Sequence, residues 1–290
     1  MDVPFIEGRS GFSLPAIGLG TYSLDGIDGT NAVIEAVRAG YRLLDSAFNY
    51  ENEGAVGAAF NYESEGAVGA AVRRSGLPRH ELIVTSKLPG RHHHFDDALT
   101  TIEESVMRMG LDHIDLYLIH WPNPLEDHYV EAWSALIEAR NRGLVHHIGV
   151  SNFLPEHLER LRGETGELPV VNQIELHPYF SQVDALAYHR EHGIITESWS
   201  PLGRGSDLLA NPIIASVAAE HGITPAQAIL AWHVSLGSIP IPKSKSLERQ
   251  RQNLTIFDVS LTADNVDQIG TLARADGRLA DQDPSVYQEF

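Results

Sequence analysis

Apolar segments of strand length alternate with amphipathic segments of helical length along most of the chain. Helix candidates include Asn31–Ala39, Asp96–Met109, Val130–Asn141 and Pro225–Val234. Near-continuous apolar strands separated by helices are typical of parallel strands with helices packed over them. The predicted strands are residues 16–21, 41–47, 81–88, 113–120, 144–152, 169–176, 193–200 and 237–244. Eight such units predict a (β/α)₈ TIM barrel, in which functional residues lie at the carboxyl ends of the strands.

The segments that flank this alternation predict smaller elements. Residues 3–15 contain two short apolar runs around a turn with glycine, which predicts an N-terminal β-hairpin over the bottom of the barrel. No linker rich in Pro, Gly or Ser interrupts the chain, so we expect residues 1–290 to form a single barrel domain. The tail from Asp276 to Phe290 is polar and has no clear period, and such a tail either closes over a site or has no role.

Composition narrows the range of functions. Of the 290 residues, 43% are hydrophobic and 21% charged, no run reaches the length of a membrane helix, and the N-terminus lacks a signal-like region. We therefore expect a cytoplasmic protein. The absence of cysteine excludes disulfides, thiolate metal sites and thiol nucleophiles. A formal net charge of −18 argues against general binding to nucleic acid or anionic membranes, so an anionic ligand would need a local basic site.

Titratable residues of different types follow three consecutive predicted strands. These are Asp45, Lys87 and His120, and Tyr50 comes five positions after Asp45. Lysine is rarely buried without a partner, so we expect Asp45 to pair with Lys87. A lysine ammonium beside a phenol favours the phenolate, and Tyr50 would then be a proton donor. A donor on His120 would orient a carbonyl oxygen.

A local basic site is present near the last predicted strand. Four of the 21 basic residues, Lys243, Lys245, Arg249 and Arg251, fall within the segment "PKSKSLERQR". Cations beside a helix start predict a phosphate site, because charge-assisted bonds and free backbone N–H groups converge there. No strand–GxGxxG–helix unit provides a Rossmann site instead. The run "RHHHFDD" at residues 91–97 lacks a standard zinc spacing, so we predict a polar loop and no metal.

Several motifs in order along the chain carry a family resemblance. They are "GLGTY", "LLDSAFNYENEGAVG", "TSKL", "DLYLIHWP", "IGVSNF", "NQIELHP", "ESWSPLG" and "IPKS" with a following "ER..N". From about Val3 to about Asp276 the chain resembles the aldo-keto reductases, and most closely the bacterial members that include 2,5-diketo-D-gluconate reductases. The resemblance implies a monomeric, NADPH-dependent oxidoreductase that reduces carbonyls to alcohols. Small aldehydes, α-keto or diketo compounds and sugar-derived ketones all fit as substrates.

Position by position, the resemblance implies a role for each motif residue. Tyr50 is the general acid, Lys87 and Asp45 support it, and His120 orients the carbonyl. The substrate pocket is lined by Tyr22, Phe48 and Trp121. The implied cofactor-binding residues are Gly20, Thr21, Ser151, Asn152, Gln173, Trp199, Ser200, Leu202, Gly203, Lys243, Ser244, Arg249, Gln252 and Asn253.

Within that cofactor set the resemblance distinguishes five kinds of contact. Trp199 stacks on the nicotinamide, and Ser151, Asn152 and Gln173 bond its carboxamide. Leu202 and Gly203 contact the pyrophosphate. The 2′-phosphate contacts, which favour NADPH over NADH, are Lys243, Ser244 and Arg249. Asn253 contacts the adenine beside Gln252, where many relatives have glutamate.

A tandem duplication interrupts the second of these motifs. Residues 48–59 and 60–71 are identical except that Ser64 stands where the first copy has Asn52. The first copy keeps the short spacing from Asp45 to Tyr50, and the second keeps the join into the following strand. Either copy could form the usual helix. We expect Tyr50 rather than Tyr62 in the site, because its shorter tether needs no long closed loop.

Other classes of function remain open at this point. Lys87 could form a Schiff base in a lyase, although a lyase gives no role to Trp199 and the basic segment together. The duplication could instead leave a non-catalytic NADPH-binding protein. Asp45, Glu175 and Glu197 also permit a glycosidase, which ignores Tyr50 and Lys87.

Overall fold

The structure, a computed structural model, describes residues 3–49 and 64–289. An antiparallel hairpin of β1 (Phe5–Glu7) and β2 (Ser13–Pro15) comes first. The Arg9 N–H donates to the Gly193 carbonyl over 2.7 Å, which ties the hairpin to the segment that enters a later strand. The predicted hairpin is therefore confirmed, and it covers the end of the barrel where the strands begin.

Eight parallel strands follow and pair with one another in chain order. They are β3 (Leu19–Gly20), β4 (Leu43–Asp45), β5 (Ile83–Leu88), β6 (Ile114–Ile119), β7 (Val145–Ser151), β8 (Val171–Glu175), β9 (Ile195–Trp199) and β10 (Ser238–Pro240). The Gly18 N–H donates to the Pro240 carbonyl over 3.1 Å and the Gly20 N–H to the Pro242 carbonyl over 3.2 Å. These two bonds join the first barrel strand to the last, and the (β/α)₈ prediction is confirmed.

Helices connect the strands. They are α1 (Gly26–Ala39), α2 (Ser64–Arg74), α3 (Phe95–Met109), α4 (Tyr129–Asn141), α5 (Pro155–Thr165), α6 (Val183–His192), α7 (Pro212–His221), α8 (Pro225–Ser235), α9 (Leu247–Leu254) and α10 (Ala263–Gly270). Local sequence sets their ends: Thr224 and Gln227 form a capping box at the start of α8, and Gly110 ends α3 at φ 58°. No helix in the described ranges has the length and apolar character needed to cross a membrane.

The core has an inner and an outer layer. Inside the barrel, strand residues such as Leu116 and Val171 pack with Phe12 and Leu14 of the hairpin segment. The outer layer lies between strands and helices, where Tyr117 and Trp133 are fully buried. Burial on both faces explains why the strands read as continuous apolar runs rather than alternating ones.

The second copy of the duplicated segment supplies α2. The Ser64 hydroxyl donates to the Thr21 carbonyl over 3.3 Å, and the Ser86 hydroxyl donates to Glu65 Oε1 over 2.5 Å. A Cβ atom at Gly69 would lie 1.9 Å from the Met109 carbonyl oxygen, so α2 packs on α3 at a distance that only glycine allows. The helix between β4 and β5 is thus built from residues 64–74.

Candidate active site

A buried ion pair lies at the carboxyl ends of β4 and β5. Lys87 Nζ is 2.7 Å from Asp45 Oδ1 and donates a second bond to the Ser46 carbonyl over 2.8 Å. Lys87 is 1% and Asp45 2% exposed. Neither charge would be stable alone at this depth, because an unpaired buried charge carries a large desolvation cost. The predicted pairing of the two residues is confirmed.

An amide links this pair to a second buried carboxyl group. Gln173 Nε2 donates to Asp45 Oδ1 over 2.9 Å and to Glu197 Oε2 over 2.8 Å. Burial, and then the charge of Asp45, raise the pKa of Glu197 to about 8. The ends of four strands therefore contribute to one network, and the uncharged form of Glu197 is favoured within it.

His120 is held at the end of β6 by the backbone on one side and by the tail on the other. Asn152 Nδ2 donates to the His120 carbonyl over 3.0 Å, and Trp199 Nε1 donates to Asn152 Oδ1 over 2.8 Å. Asn152 sits at φ 63°, a left-handed conformation that asparagine tolerates. This chain of bonds sets the relative positions of the histidine backbone and the tryptophan ring.

One cleft of about 730 Å³ opens over these residues. Four of the residues predicted for catalysis or for the substrate pocket line it: Tyr22, Asp45, His120 and Trp121. The predicted cofactor residues along its walls are Gly20, Asn152, Gln173, Trp199, Ser200, Leu202 and Lys243. The structure thus brings most of the predicted site residues to a single concave surface, as expected for a ligand site at this end of a barrel.

Other predicted residues lie behind or beside the cleft walls. Thr21 and Ser151 are buried, and their hydroxyls donate to the backbone carbonyls of Asp45 and Gln173. Phe48, predicted to line the substrate pocket, is not among the residues lining this cleft. Its ring packs under the Arg108 guanidinium, which lies 4.0 Å from the ring centroid.

The basic segment lies at the start of α9. Lys243, Lys245 and Arg249 are exposed, and Ser246 caps the helix by accepting from the Arg249 N–H over 3.4 Å. Partial burial, and then the neighbouring charge of Lys245, lower the pKa of Lys243. Cations that repel one another beside a helix N-terminus fit an anionic group such as a phosphate.

The remaining predicted cofactor residues lie close to this segment, apart from Gly203. Ser244 is buried, and its hydroxyl accepts from the Ser246 N–H over 3.1 Å. Asn253 is 6% exposed, and its side chain bonds to Tyr41. Gln252 donates from its side chain to Glu248 over 3.4 Å. Gly203, at φ 65°, lies in the turn after β9.

Two tail residues that sequence reasoning missed lie in the cleft, beside Trp121 and His120. The Tyr287 ring lies 4.5 Å from the Trp121 ring, and Glu289 Oε1 lies 2.6 Å from His120 Nδ1. Both residues line the cleft. The tail carries no periodic pattern, so nothing in the sequence pointed to either side chain. Of the two roles considered for the tail, the structure has it close over the site.

Tyr50 and Tyr62 lie outside the described residues. The nearest described residues are Asn49, which lines the cleft, and Ser64, which begins α2 beside Thr21. Both tyrosines are therefore within two residues of the site in sequence. The prediction that Tyr50 is the general acid remains a prediction.

The histidine run at residues 91–97 forms a loop and the start of α3, with Asp96 and Asp97 in the first helical turn as predicted. The fold brings His94 together with His128 and Glu131, and their potential ligand atoms lie within 4.8 Å of one another. Sequence reasoning considered only neighbours along the chain and missed this grouping. Glu131 already accepts from the Phe95 N–H over 2.8 Å at the helix start, and the absence of a metal remains a prediction.

Residues 16–274 match the model of the Aldo/keto reductase family. Over 289 residues the chain is 50% identical to 2,5-diketo-D-gluconic acid reductase B of Corynebacterium sp. (strain SHS752001), covering 100% of this chain and 99% of that protein. Over 302 residues it is 37% identical to morphine 6-dehydrogenase of Pseudomonas putida, covering 99% of this chain and 98% of that protein.

Solved structures of aldo-keto reductases are also similar to this chain in fold. An aldo/keto reductase from Brucella melitensis has a TM-score of 0.85 and 40% identity, covering 93% of this chain and 100% of that one. A Gox0644 variant in complex with NADPH has a TM-score of 0.89 and 39% identity, covering 99% of this chain and 100% of that one.

Proposed function

We propose that Asp45, Lys87 and His120 are catalytic residues of this chain, which belongs to the aldo/keto reductase family and reduces carbonyl groups with NADPH. Aldehydes and ketones become alcohols in this reaction. The observation that carries the proposal is the buried Lys87–Asp45 pair at 2.7 Å, beside a histidine in the same cleft. A paired ammonium stays charged, and a charged ammonium stabilises a phenolate next to it.

A tyrosine of the duplicated segment completes this unit in the proposal. Tyr50 directly follows Asn49 in sequence and keeps the short spacing from Asp45, so we assign it the proton that the carbonyl oxygen receives. Lys87 supports the resulting phenolate, and His120 orients the same oxygen through a ring N–H. Protonation as charge develops on the oxygen lowers the barrier, because the charge is neutralised while it forms.

The cleft has the groups that a dinucleotide needs. The nicotinamide supplies the hydride that reaches the carbonyl carbon. Trp199 lies in the cleft wall where a planar ring would stack on it, and Asn152 and Gln173 offer amides nearby. At the other end, Lys243, Ser244 and Arg249 would hold the 2′-phosphate at the start of α9, with Gln252 and Asn253 toward the adenine.

A Schiff-base lyase fits the geometry poorly. A nucleophilic lysine must lose its proton and reach the substrate carbon. Lys87 is instead 1% exposed, paired with Asp45, and absent from the residues that line the cleft. A cofactor-binding protein without activity stays a distinct outcome of the experiment below.

The remaining features of the proposal come from composition and family resemblance. We propose a single domain over residues 1–290 that acts in the cytoplasm as a monomer. Its substrates would be small aldehydes, α-keto or diketo compounds and sugar-derived ketones. The large excess of acidic residues, 39 against 21 basic, favours neither nucleic acid nor anionic lipid as a partner.

The test is NADPH oxidation with a panel of aldehydes and diketones by the wild type, Tyr50→Phe and Tyr62→Phe. The two variants are matched, because the same residues precede and follow each tyrosine up to position Asn52 or Ser64. We expect Tyr50→Phe alone to lose turnover, by about 10²–10⁴-fold, the usual contribution of a positioned acid.

Two other outcomes would revise the proposal in different ways. Loss confined to Tyr62→Phe would assign the proton to the second copy. NADPH binding by the wild type without any turnover would point to the non-catalytic alternative.

A further inference from the structure

Glu289, in the C-terminal tail, places a buried carboxylate against the side chain of His120. Among the described residues, three nitrogen atoms lie within 3.0 Å of its two oxygens. Oε1 lies 2.6 Å from His120 Nδ1 and 3.0 Å from Asn49 Nδ2, and Oε2 accepts from the Gly90 N–H over 2.9 Å. The residue is 9% exposed. The carboxylate is therefore buried and has a nitrogen neighbour at each of its two oxygens.

The backbone of Glu289 is held as firmly as its side chain. Asn123 is fully buried; its side chain donates to the Glu289 carbonyl over 2.8 Å and accepts from the Glu289 N–H over 2.9 Å. A Cβ atom at Gly90 would lie 2.3 Å from the side chain of Asn123. Only glycine at this position therefore leaves room for Asn123 to hold the Glu289 backbone while the Gly90 N–H contacts the Glu289 carboxylate. Tyr287 adds the ring contact with Trp121.

The chemistry of the contact fixes the form of both partners. Burial raises the pKa of Glu289, but His120, the Asn49 amide and the Gly90 N–H together lower it below the ordinary glutamate value. The group is thus an anion, and an anion at 2.6 Å from a ring nitrogen requires a proton on that nitrogen. We therefore assign a proton to Nδ1 of His120, on the side that faces Glu289.

We propose that Glu289 is a positioning residue for His120, which rests on the proposed role of His120 in orienting the substrate carbonyl. The carboxylate fixes the ring rotation and holds a proton on Nδ1. It also compensates the positive charge that the ring carries when Nε2 is protonated as well and donates to the carbonyl oxygen. Reactive histidines are commonly oriented in this way by a second group.

An amide cannot replace the carboxylate. Three donors face two oxygens, and glutamine has only one acceptor atom, so its NH₂ group would face another donor. Glu289→Gln therefore breaks the arrangement without removing volume. Glu289→Asp keeps the charge and both acceptor atoms on a shorter side chain. The exposed tail carboxylate Asp281 gives a matched control, Asp281→Asn.

The experiment has a spectroscopic and a kinetic part. In the NADPH-free protein, the proton NMR spectrum should contain a downfield resonance from the His120 Nδ1–H, assigned by its loss in His120→Gln. We expect Glu289→Gln to lose it and Asp281→Asn to keep it. With NADPH, kcat of Glu289→Gln should fall roughly 10–100-fold, by analogy with the loss when the hydrogen-bond partner of a metal-bound histidine is removed, while the Kd for NADPH changes little. Glu289→Asp should recover part of kcat.

Each failure has a separate meaning. A downfield resonance that persists in Glu289→Gln, or kcat unchanged in that variant with the wild type active, overturns the inference and leaves the proposed function intact. If kcat and the melting temperature both fall in Glu289→Gln, and both fall in the same way in Asp281→Asn, the role of Glu289 is structural only. That outcome also overturns the inference. A wild type without turnover contradicts the proposed function, while the NMR result still tests the contact.

Discussion

Two carboxylates, Asp45 and Glu289, line the cleft, and the protein positions them by different means. Asp45 pairs with Lys87, 42 residues later, because β4 and β5 lie side by side and Asp45 is opposite Thr85 in their register. Glu289 reaches His120 from the tail, where Asn123, 166 residues earlier, holds it. Sheet hydrogen bonds fix the first contact and a few tail contacts fix the second. The tail contact can therefore be loosened while the barrel stays intact.

The largest effect should come from breaking the strand pair. Lys87→Met removes the ammonium and keeps much of the side-chain volume. We expect kcat to fall by about 10²–10⁴-fold, because the phenolate next to it loses its stabilising charge. Steady-state NADPH oxidation measures this, with fluorescence titration of NADPH as the check on cofactor binding.

Unfolding gives the control for that variant. Removing one partner of a buried pair costs about 3–5 kcal/mol of stability, whereas removing both costs less. Lys87→Met combined with Asp45→Asn should therefore melt higher than Lys87→Met alone and remain inactive. An active Lys87→Met enzyme would show that the strand pair is purely structural.

The same contrast separates what sequence could and could not predict. Asp45, Lys87 and His120 were predicted because strand ends in a parallel barrel converge, so their positions in sequence imply their positions in space. Phe48 was expected in the pocket, and its ring lies under Arg108. The direction of a loop side chain has no periodic signal, so its role in the pocket stays a prediction. Glu289 had no signal of any kind, since its partners come from three separate loops.

A smaller effect should come from loosening the tail at its first anchor. Glu175 Oε1, at the end of β8, accepts from the Leu279 N–H over 2.6 Å. Glu175→Ala removes this part-buried bond, worth about 1–3 kcal/mol, together with the contact of Glu175 Oε1 with His177 Nε2 at 3.0 Å. We expect KM for the carbonyl substrate to rise a few-fold, because the tail then spends time away from the cleft.

Hydrogen exchange at Leu279 measures the tail directly. The amide should exchange faster in Glu175→Ala, and Glu175→Gln, which keeps an acceptor oxygen, is the matched control with near-normal exchange. Unchanged exchange in the alanine variant would mean that the other contacts of the tail, including those of Arg278, Tyr287 and Glu289, hold it without this bond.

The smallest effect on activity, and the sharpest contrast in sign, should come from Glu197→Gln. Burial and the charge of Asp45 raise the pKa of Glu197 to about 8 from an ordinary value of 4.5, so between these values the folded state holds a proton that the unfolded state has lost. Stability therefore falls as the pH rises through that window, and Glu197→Gln should remove this part of the fall.

Glu289 has a lowered pKa, so its contribution to stability has the opposite sign: it is present above the ordinary carboxyl pKa and lost on acidification. Melting temperatures should be measured across both pH ranges. The melting temperature of the wild type relative to that of Glu197→Gln should fall as the pH rises, and relative to that of Glu289→Gln it should fall as the pH falls. If the difference in melting temperature between each variant and the wild type does not vary with pH, the two carboxyl groups do not change protonation on unfolding. The strand network and the tail contact would then differ only in geometry.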